Sequence, residues 1–146
     1  SLPEPTGVVS ILSPEGYGLL GLVSAIAPAI VGGNTVVVLA SKQKPLAAIT
    51  FAEVIHSSDV PAGVINILTG YRSELLLHFS NHMDVNACVY CGSDNEEIKK
   101  VQVNSSLNVK RAVIYSDDNW MEEESQNPYR IMDLQEIKTT WHPIGI

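Results

Sequence analysis

The sequence predicts an α/β domain built on a doubly wound parallel sheet. Runs of β-branched residues alternate with helical segments along most of the chain. The strand-like runs are apolar at nearly every position, which is typical of strands buried on both faces of a parallel sheet. A chain of 146 residues with a hydrophobic fraction of 45% can bury a core of this kind.

The elements follow one another in a regular order. Strands are predicted over "GVVSIL" (7–12), "TVVVLA" (35–40), residues 64–68, "DVNACVYCG" (84–92) and "RAVIYS" (111–116). Helices are predicted between them, over residues 19–31, "KPLAAITFAEVIHSS" (44–58), "RSELLLHFSNH" (72–82) and "DNEEIKKVQVNS" (94–105). Right-handed crossovers make the strands parallel, and ligands are then expected at their carboxyl ends.

The alternation stops after the fifth strand. The stretch "DDNWMEEESQNPYR" is acidic and rich in turn-forming residues, which indicates a linker or a surface excursion. We therefore divide the chain into an α/β domain (1–119), an acidic linker (120–134) and a C-terminal strand (135–146). In "QEIKTTWHPI", strand alternation places Ile137, Thr139 and Trp141 on one face. A strand without a sequential neighbour has to pair with a sheet edge, on its own chain or on a partner.

One stretch is long enough to raise the question of a membrane span. No charged residue occurs from Gly16 to Ser41. Pro28 and the turn "GGN" divide this stretch into a helix and a strand, and each is too short to cross a bilayer. We therefore interpret it as part of a buried core.

Charge and cysteine content limit the classes of function. A net charge of −7 argues against a nucleic-acid partner, which requires a concentrated basic surface. Two cysteines cannot form the disulfide framework of a small secreted protein, and no basic-then-apolar leader is present. We expect a cytoplasmic protein.

The two cysteines are spaced C-x-x-C, which in some cytosolic proteins marks a redox pair. Here the motif falls on a predicted strand, where an offset of three places Cys88 and Cys91 on opposite faces. Their Cα atoms would then be about 10 Å apart, beyond the roughly 7 Å that a disulfide allows. Two buried thiols are the favoured interpretation, and a redox pair is the alternative.

The usual ligand fingerprints are missing from the sequence. It contains neither a G-x-G-x-x-G motif nor a Walker loop, and no H-E-x-x-H or comparable metal spacing. His78 and His82 could share one helix face, but no carboxylate or cysteine accompanies them in the pattern of a metal site. We expect no metal.

Several ungapped motifs resemble the coenzyme-binding domain of aldehyde dehydrogenases. They are "PTGVVSILSPEG", "APAIVGGNTVVVLASK", "VPAGVINILTG" and "CVYCGS", and they occur in the family's order over about residues 3–119. The resemblance implies a Rossmann-like fold. It also implies that the Gly92-Ser93 turn lies where the family's serine meets the pyrophosphate of the coenzyme.

The departures from the family pattern fall at the positions that carry the chemistry. The family's oxyanion-holding Asn is replaced by Gly16, and its general-base Glu is replaced by Tyr115. The Lys and Glu that hold the adenosine ribose correspond to Leu39 and Lys42. A family glycine near the pyrophosphate corresponds to Glu97.

The catalytic half of the family has no counterpart in this sequence. After the linker comes "QEIKTTWHPIG", which resembles the family's C-terminal oligomerisation strand. The catalytic domain with the nucleophilic cysteine is absent. This combination resembles the shortened, non-catalytic second module of family-16 aldehyde dehydrogenases, and we expect the chain to be a piece of a longer protein.

Two functions follow as expectations. The first is a non-catalytic module without a cofactor, which forms a homodimer or docks on a companion aldehyde dehydrogenase module through Ile137, Thr139 and Trp141. The second is a part of an aldehyde oxidoreductase that binds NAD or NADP with Gly92, Ser93 and Lys42. In the second case, Lys42 would favour the 2′-phosphate of NADP.

Overall fold

A computed structural model describes residues 1–116 and 119–143 of the chain. Its central sheet has five parallel strands in the order β4-β3-β2-β5-β6. Their bounds are Val8–Leu12 (β2), Thr35–Leu39 (β3), Ile65–Leu68 (β4), Ala87–Cys91 (β5) and Arg111–Tyr115 (β6). The predicted parallel α/β fold is confirmed. The strand order reverses between β2 and β5, which makes the gap between their carboxyl ends the topological switch point.

Four helices cover the two faces of this sheet. They are α1 (Gly18–Val31), α2 (Pro45–His56), α3 (Arg72–Asn81) and α4 (Asn95–Leu107). Helices α1 and α2 pack with Val9, Ile11, Val36 and Val38 on one face. Helices α3 and α4 pack with Leu12, Leu39, Cys88 and Tyr90 on the other. Because both faces are covered, β5 is buried at every position, as its continuous apolar sequence predicts.

The two cysteines lie on β5, and their side chains belong to different core clusters. Cys88 faces α3 and α4, whereas Cys91 faces α1 and α2. Both are buried and neither forms a disulfide. Burial raises the pKa of the Cys88 thiol, although a hydrogen bond with Ser10 and the charge of Lys110 oppose the shift. The prediction of two buried thiols on opposite faces is confirmed.

The segment after β6 folds back onto the sheet domain. It contains a 3₁₀ helix (Glu123–Gln126) and a short helix, α5 (Tyr129–Met132). Trp120 and Leu134 are each only 2% exposed and join the core on the α1 side. The acidic composition suggested a linker or surface excursion, but these two apolar residues anchor the segment to the core.

The C-terminal strand pairs within its own chain. Strand β7 (Gln135–Lys138) forms an antiparallel ribbon with β1 (Leu2–Pro5), separate from the main sheet. The observed strand ends at Lys138, so it is shorter than the strand predicted over residues 135–144. Thr139 and Trp141 lie beyond its end. Residues 144–146 lie outside the described part of the chain. Strand β1 was not predicted, because its two prolines are unusual in a strand.

Among the helices of residues 1–116 and 119–143, none combines the length and the apolar character that a membrane span requires.

Candidate functional site: a cleft at the switch point

The carboxyl ends of the central strands border a cleft of about 490 Å³. It lies at the switch point, where an open α/β sheet ordinarily binds its ligand. Its walls come from the loops after β2, β5 and β6 and from the first residue of α3. The residues that line it include Gly16, Arg72, Tyr90, Gly92, Ser93, Glu97, Tyr115 and Trp120.

The guanidinium of Arg72 bridges the two strand ends at the switch point. Its Nη2 donates to the carbonyl of Ser13, just beyond β2, at 2.5 Å, and to the carbonyl of Cys91, at the end of β5, at 3.3 Å. The guanidinium also lies 5.1 Å from the centre of the Tyr90 ring. The side chain is only 14% exposed, so Arg72 occupies the crevice.

Glu97 holds Arg72 and Tyr90 in this arrangement. Its carboxylate accepts a hydrogen bond of 2.7 Å from the Tyr90 hydroxyl and one of 3.4 Å from Nη1 of Arg72. Burial, followed by the hydrogen bond and charge of Glu97, raises the pKa of Tyr90 to about 12. The negative charge of Glu97 is therefore compensated inside the cleft.

The amino terminus of α4 is capped by its own chain. The side chain of Asp94 accepts hydrogen bonds from the backbone N–H groups of Glu96, at 2.9 Å, and of Glu97, at 3.1 Å. These are the groups with which a helix terminus binds an anion. Because Asp94 satisfies them, they are engaged before any ligand arrives.

Gly92 leaves room for this network. A Cβ atom at this position would lie 3.0 Å from the Tyr90 hydroxyl and 3.1 Å from Nη1 of Arg72. Ser93, next to it, is exposed at the cleft. A larger residue here would therefore press on the chain's own Tyr90 and Arg72 side chains.

On the β2 side, Gly16 offers only backbone groups. Its carbonyl accepts a hydrogen bond of 2.7 Å from Nζ of Lys44. Beside it, the Tyr17 hydroxyl donates to Oδ1 of Asn119 at 3.2 Å, which connects this loop to the segment after β6.

Tyr115 is bound by the same segment. Its hydroxyl donates to Oδ2 of Asp133 at 2.8 Å. The guanidinium of Arg130 lies 4.1 Å from the Tyr115 ring and 4.6 Å from the Trp120 ring. Burial, with the hydrogen bond and charge of Asp133, raises the pKa of Tyr115 further above its ordinary value. The phenol therefore holds its proton more tightly than an ordinary tyrosine does.

Two residues expected near a nucleotide, Leu39 and Lys42, do not line this cleft. Lys42 is exposed and places its ammonium group 4.5 Å from the centre of the Tyr71 ring, outside the cleft. Leu39 is buried in the α3-side core. The structure thus brings together Gly16, Gly92, Ser93, Glu97 and Tyr115, and it separates Lys42 from them.

Two residues that line the cleft, Arg72 and Tyr90, were not predicted from the sequence. Arg72 and Tyr90 are separated from each other by a helix and a loop, and no motif joins them to Glu97. The only local signal is a tyrosine near the carboxyl end of a buried strand, whose hydroxyl needs a polar partner. Within the described residues, no group of three or more His, Cys, Asp or Glu side chains is placed to hold a metal ion.

Comparison with known proteins places these features in a family. The model of the aldehyde dehydrogenase family matches residues 1–129. Hydroxyisobutyraldehyde dehydrogenase of Mycolicibacterium austroafricanum is 37% identical over an alignment of 131 positions, which covers 84% of this chain and 26% of that protein. Omega-crystallin of Enteroctopus dofleini is 32% identical over 108 residues, 74% of this chain and 22% of that protein.

A solved structure gives the same result. Aldehyde dehydrogenase C of Pseudomonas syringae, a C291A mutant in complex with NAD+ and octanal, superposes with a TM-score of 0.74 and 32% identity. The match covers 78% of this chain and 23% of that one. The chain therefore spans about a quarter of the length of the relatives that it matches.

Proposed function

This chain belongs to the aldehyde dehydrogenase family, and on that premise we propose that it is a non-catalytic module that serves dimerisation or docking on another protein module. The observation that carries the proposal is the position of Arg72, which bridges the ends of β2 and β5 where a ligand would lie. In such a module, the side chains that line the crevice bond to one another and to the strand ends, and the fold is kept without the cofactor.

The residues of the cleft do not fit a dinucleotide. Arg72 closes the switch point, and Asp94 takes the α4 N–H groups that a pyrophosphate would bind. Glu97 adds a carboxylate on the same side. Lys42, the residue that could favour NADP, stacks on Tyr71 outside the cleft.

The groups required for aldehyde oxidation are also missing from the cleft. The reaction needs a thiolate, a general base and an oxyanion-binding donor acting together. Gly16 has no side-chain donor, and Tyr115 keeps its proton. Both cysteines, Cys88 and Cys91, are buried in the core, and burial raises the pKa of Cys88, so the chain presents no exposed thiol for the nucleophilic role.

The ribbon of β1 and β7 supports a role in assembly. Ile137 is 59% exposed and Trp141 is 81% exposed, and both are typical of residues that a partner covers. The partner is a second copy of this chain or a companion aldehyde dehydrogenase module. More narrowly, the chain corresponds to the second module of a family-16 aldehyde dehydrogenase in the cytoplasm.

The alternative is an NAD(P)-binding portion of an aldehyde oxidoreductase. The Pseudomonas syringae relative, solved with NAD+ and octanal, favours it. In that case Ser93 and the turn at Gly92 would still contact the pyrophosphate, after Arg72 and Glu97 move aside.

Calorimetric titration of this 146-residue chain with NAD and with NADP separates the two functions. We expect no binding heat up to millimolar nucleotide, and no turnover of aldehydes with either coenzyme. The Ser93→Ala variant serves as the matched control. Micromolar affinity in the wild type that is lost in this variant would replace our proposal with the alternative.

A further inference from the structure

Strand β7 has one edge that pairs with β1 and one edge that is open. The N–H of Thr6 donates to the carbonyl of Leu134 at 3.2 Å, immediately beyond the ribbon. Hydrogen-bonded pairs alternate along an antiparallel ladder, so Glu136 and Lys138 direct their backbone groups towards β1. Ile137, which lies between them, directs its N–H and C=O away from β1.

The outer edge of β1 cannot accept a partner strand in the same way. By the same alternation, Pro3 and Pro5 are the residues of β1 that face outward. Proline has no N–H, and an edge without donors is blocked against strand addition. If the ribbon extends, it extends at β7.

The open edge of β7 is centred on Ile137. The carbonyl of Gln135 already accepts a hydrogen bond of 2.9 Å from Nη1 of Arg111, so the free stretch begins at the next outward-facing residue. Within residues 1–116 and 119–143, no group is recorded as bonding the backbone of Ile137. A two-stranded ribbon is marginally stable alone and gains from a third or fourth strand.

The charges of β7 are complementary to those of a second β7. If two copies pair in antiparallel fashion about a two-fold axis at Ile137, residue 136 of each lies opposite residue 138 of the other. Glu136 then faces Lys138 twice. An axis at Glu136 or at Lys138 would instead place like charges opposite each other, which is destabilising.

From these observations we propose that two copies of this chain pair through the outer edges of their β7 strands, with Ile137 at the two-fold axis. The product is a four-stranded antiparallel sheet in the order β1-β7-β7-β1. Each Lys138 lies between Glu4 of its own chain, to which it is already paired, and Glu136 of the copy. This inference rests on the proposed assembly function and specifies its partner and its register.

Sedimentation velocity over a range of concentrations tests the pairing by charge reversal. The wild type should dimerise. Glu136→Lys and Lys138→Glu should each raise the dimer dissociation constant roughly tenfold or more, because each change creates two repulsive pairs across the axis. The double variant should restore dimerisation, and a mixture of the two single variants should form heterodimers.

The double variant separates pairing between chains from contacts within a chain. Within one chain, Lys138 pairs with Glu4 and Glu136 pairs with Arg111. The double reversal places like charges at both of these contacts, so it cannot restore them. Recovery of the dimer would therefore come from the complementary pairs between copies.

Disulfide cross-linking provides a second test that needs no charge change. Residues opposite each other in a hydrogen-bonded antiparallel pair have Cα atoms about 5.5 Å apart, which a disulfide can bridge. Ile137→Cys should cross-link two copies under mild oxidation. Lys138→Cys is the control and should not, because its counterpart lies two residues further along the copy; the native Cys88 and Cys91 are buried.

Two results would overturn the β7 pairing. A dimer that all charge variants leave unchanged would overturn the β7 pairing but leave the proposed assembly function standing, with its interface elsewhere. A wild type that is monomeric throughout would also overturn the pairing. The non-catalytic role is judged separately, by the nucleotide titration.

Discussion

Arg72 does in this fold what a bound ligand does in other open α/β sheets: it contacts the ends of two central strands at once. The hydrogen bonds to Ser13 and Cys91 satisfy carbonyl groups that a ligand or water would otherwise bind. Glu97 and Tyr90 fix its orientation. A partly buried ion pair is weak support for stability on its own, but breaking one leaves an unpaired charge, which is costly.

The raised pKa of Tyr90 leads to a pH-dependent stability. The folded state binds the phenolic proton more tightly than the unfolded state, so this contribution is present below the ordinary pKa of 10.0 and is lost as pH rises towards about 12. We expect the free energy of unfolding of the wild type to fall over this range by on the order of 2 kcal/mol more than that of Tyr90→Phe. Urea unfolding at a series of pH values measures the difference.

Tyr129→Phe is the control for this experiment, because Tyr129 is 70% exposed. Its pH dependence should follow that of the wild type. Tyr115, whose pKa is also raised, is present in all three proteins, so its contribution cancels in the comparison. If Tyr90→Phe and the wild type show the same slope, Tyr90 does not interact with Glu97 as described.

The segment from Asn119 to Leu134 behaves as a structural element of the sheet domain. The guanidinium of Arg130 lies close to the rings of both Tyr115 and Trp120, which themselves meet edge to face with centres 6.1 Å apart. Asn34 joins the end of the segment to the core by donating to the carbonyl of Leu134 at 3.0 Å. The cleft wall and the entry to β7 thus depend on the same residues.

Truncation of Trp120 measures how firmly this segment is held. Trp120→Ala should lower the free energy of unfolding by about 3–5 kcal/mol, as is typical when a buried aromatic side chain is removed. Met121→Ala is the matched control: Met121 is 70% exposed, and the change should stay within about 0.5 kcal/mol. Equal, small effects of both variants in urea unfolding would show that the segment is a linker after all.

The whole molecule consists of a sheet domain covered on both faces and a small ribbon beside it. Strands β2 and β5 lie at the centre of the sheet, and β5 is buried at every position. The ribbon is connected to the domain mainly through Asn34, Leu134 and Arg111. Local stability should therefore differ between the two parts.

Hydrogen exchange at a concentration where the chain is monomeric should show this difference. The amides of Val9 and Val89 should exchange only on global unfolding, because they lie in the two central strands. The amides of Glu4 and Lys138, which face each other's strands in the ribbon, should exchange at least about tenfold faster. Equal rates in both parts would mean that the ribbon and the domain unfold together.

The elements of the sheet domain were predictable because their signals are local. A strand buried on both faces shows an apolar run, and a helix shows a period of 3.6 residues, whatever the rest of the chain does. The same local rule placed Cys88 and Cys91 on opposite faces of β5. By contrast, β1 was not predictable from its own sequence, because it contains two prolines and is a strand only through its pairing with β7.

The order of residues along the chain was sufficient to determine the parallel α/β sheet, the location of the cleft at its switch point and the family to which the chain belongs. It could not determine which side chains meet in that cleft, because Arg72 and Glu97 are 25 residues apart and meet only when α3 and α4 pack on the same face of the sheet. Nor could it place Trp120 in the core or join β7 to β1. Periodicity acts over neighbouring residues, whereas these contacts depend on distances that are set only when the whole chain folds.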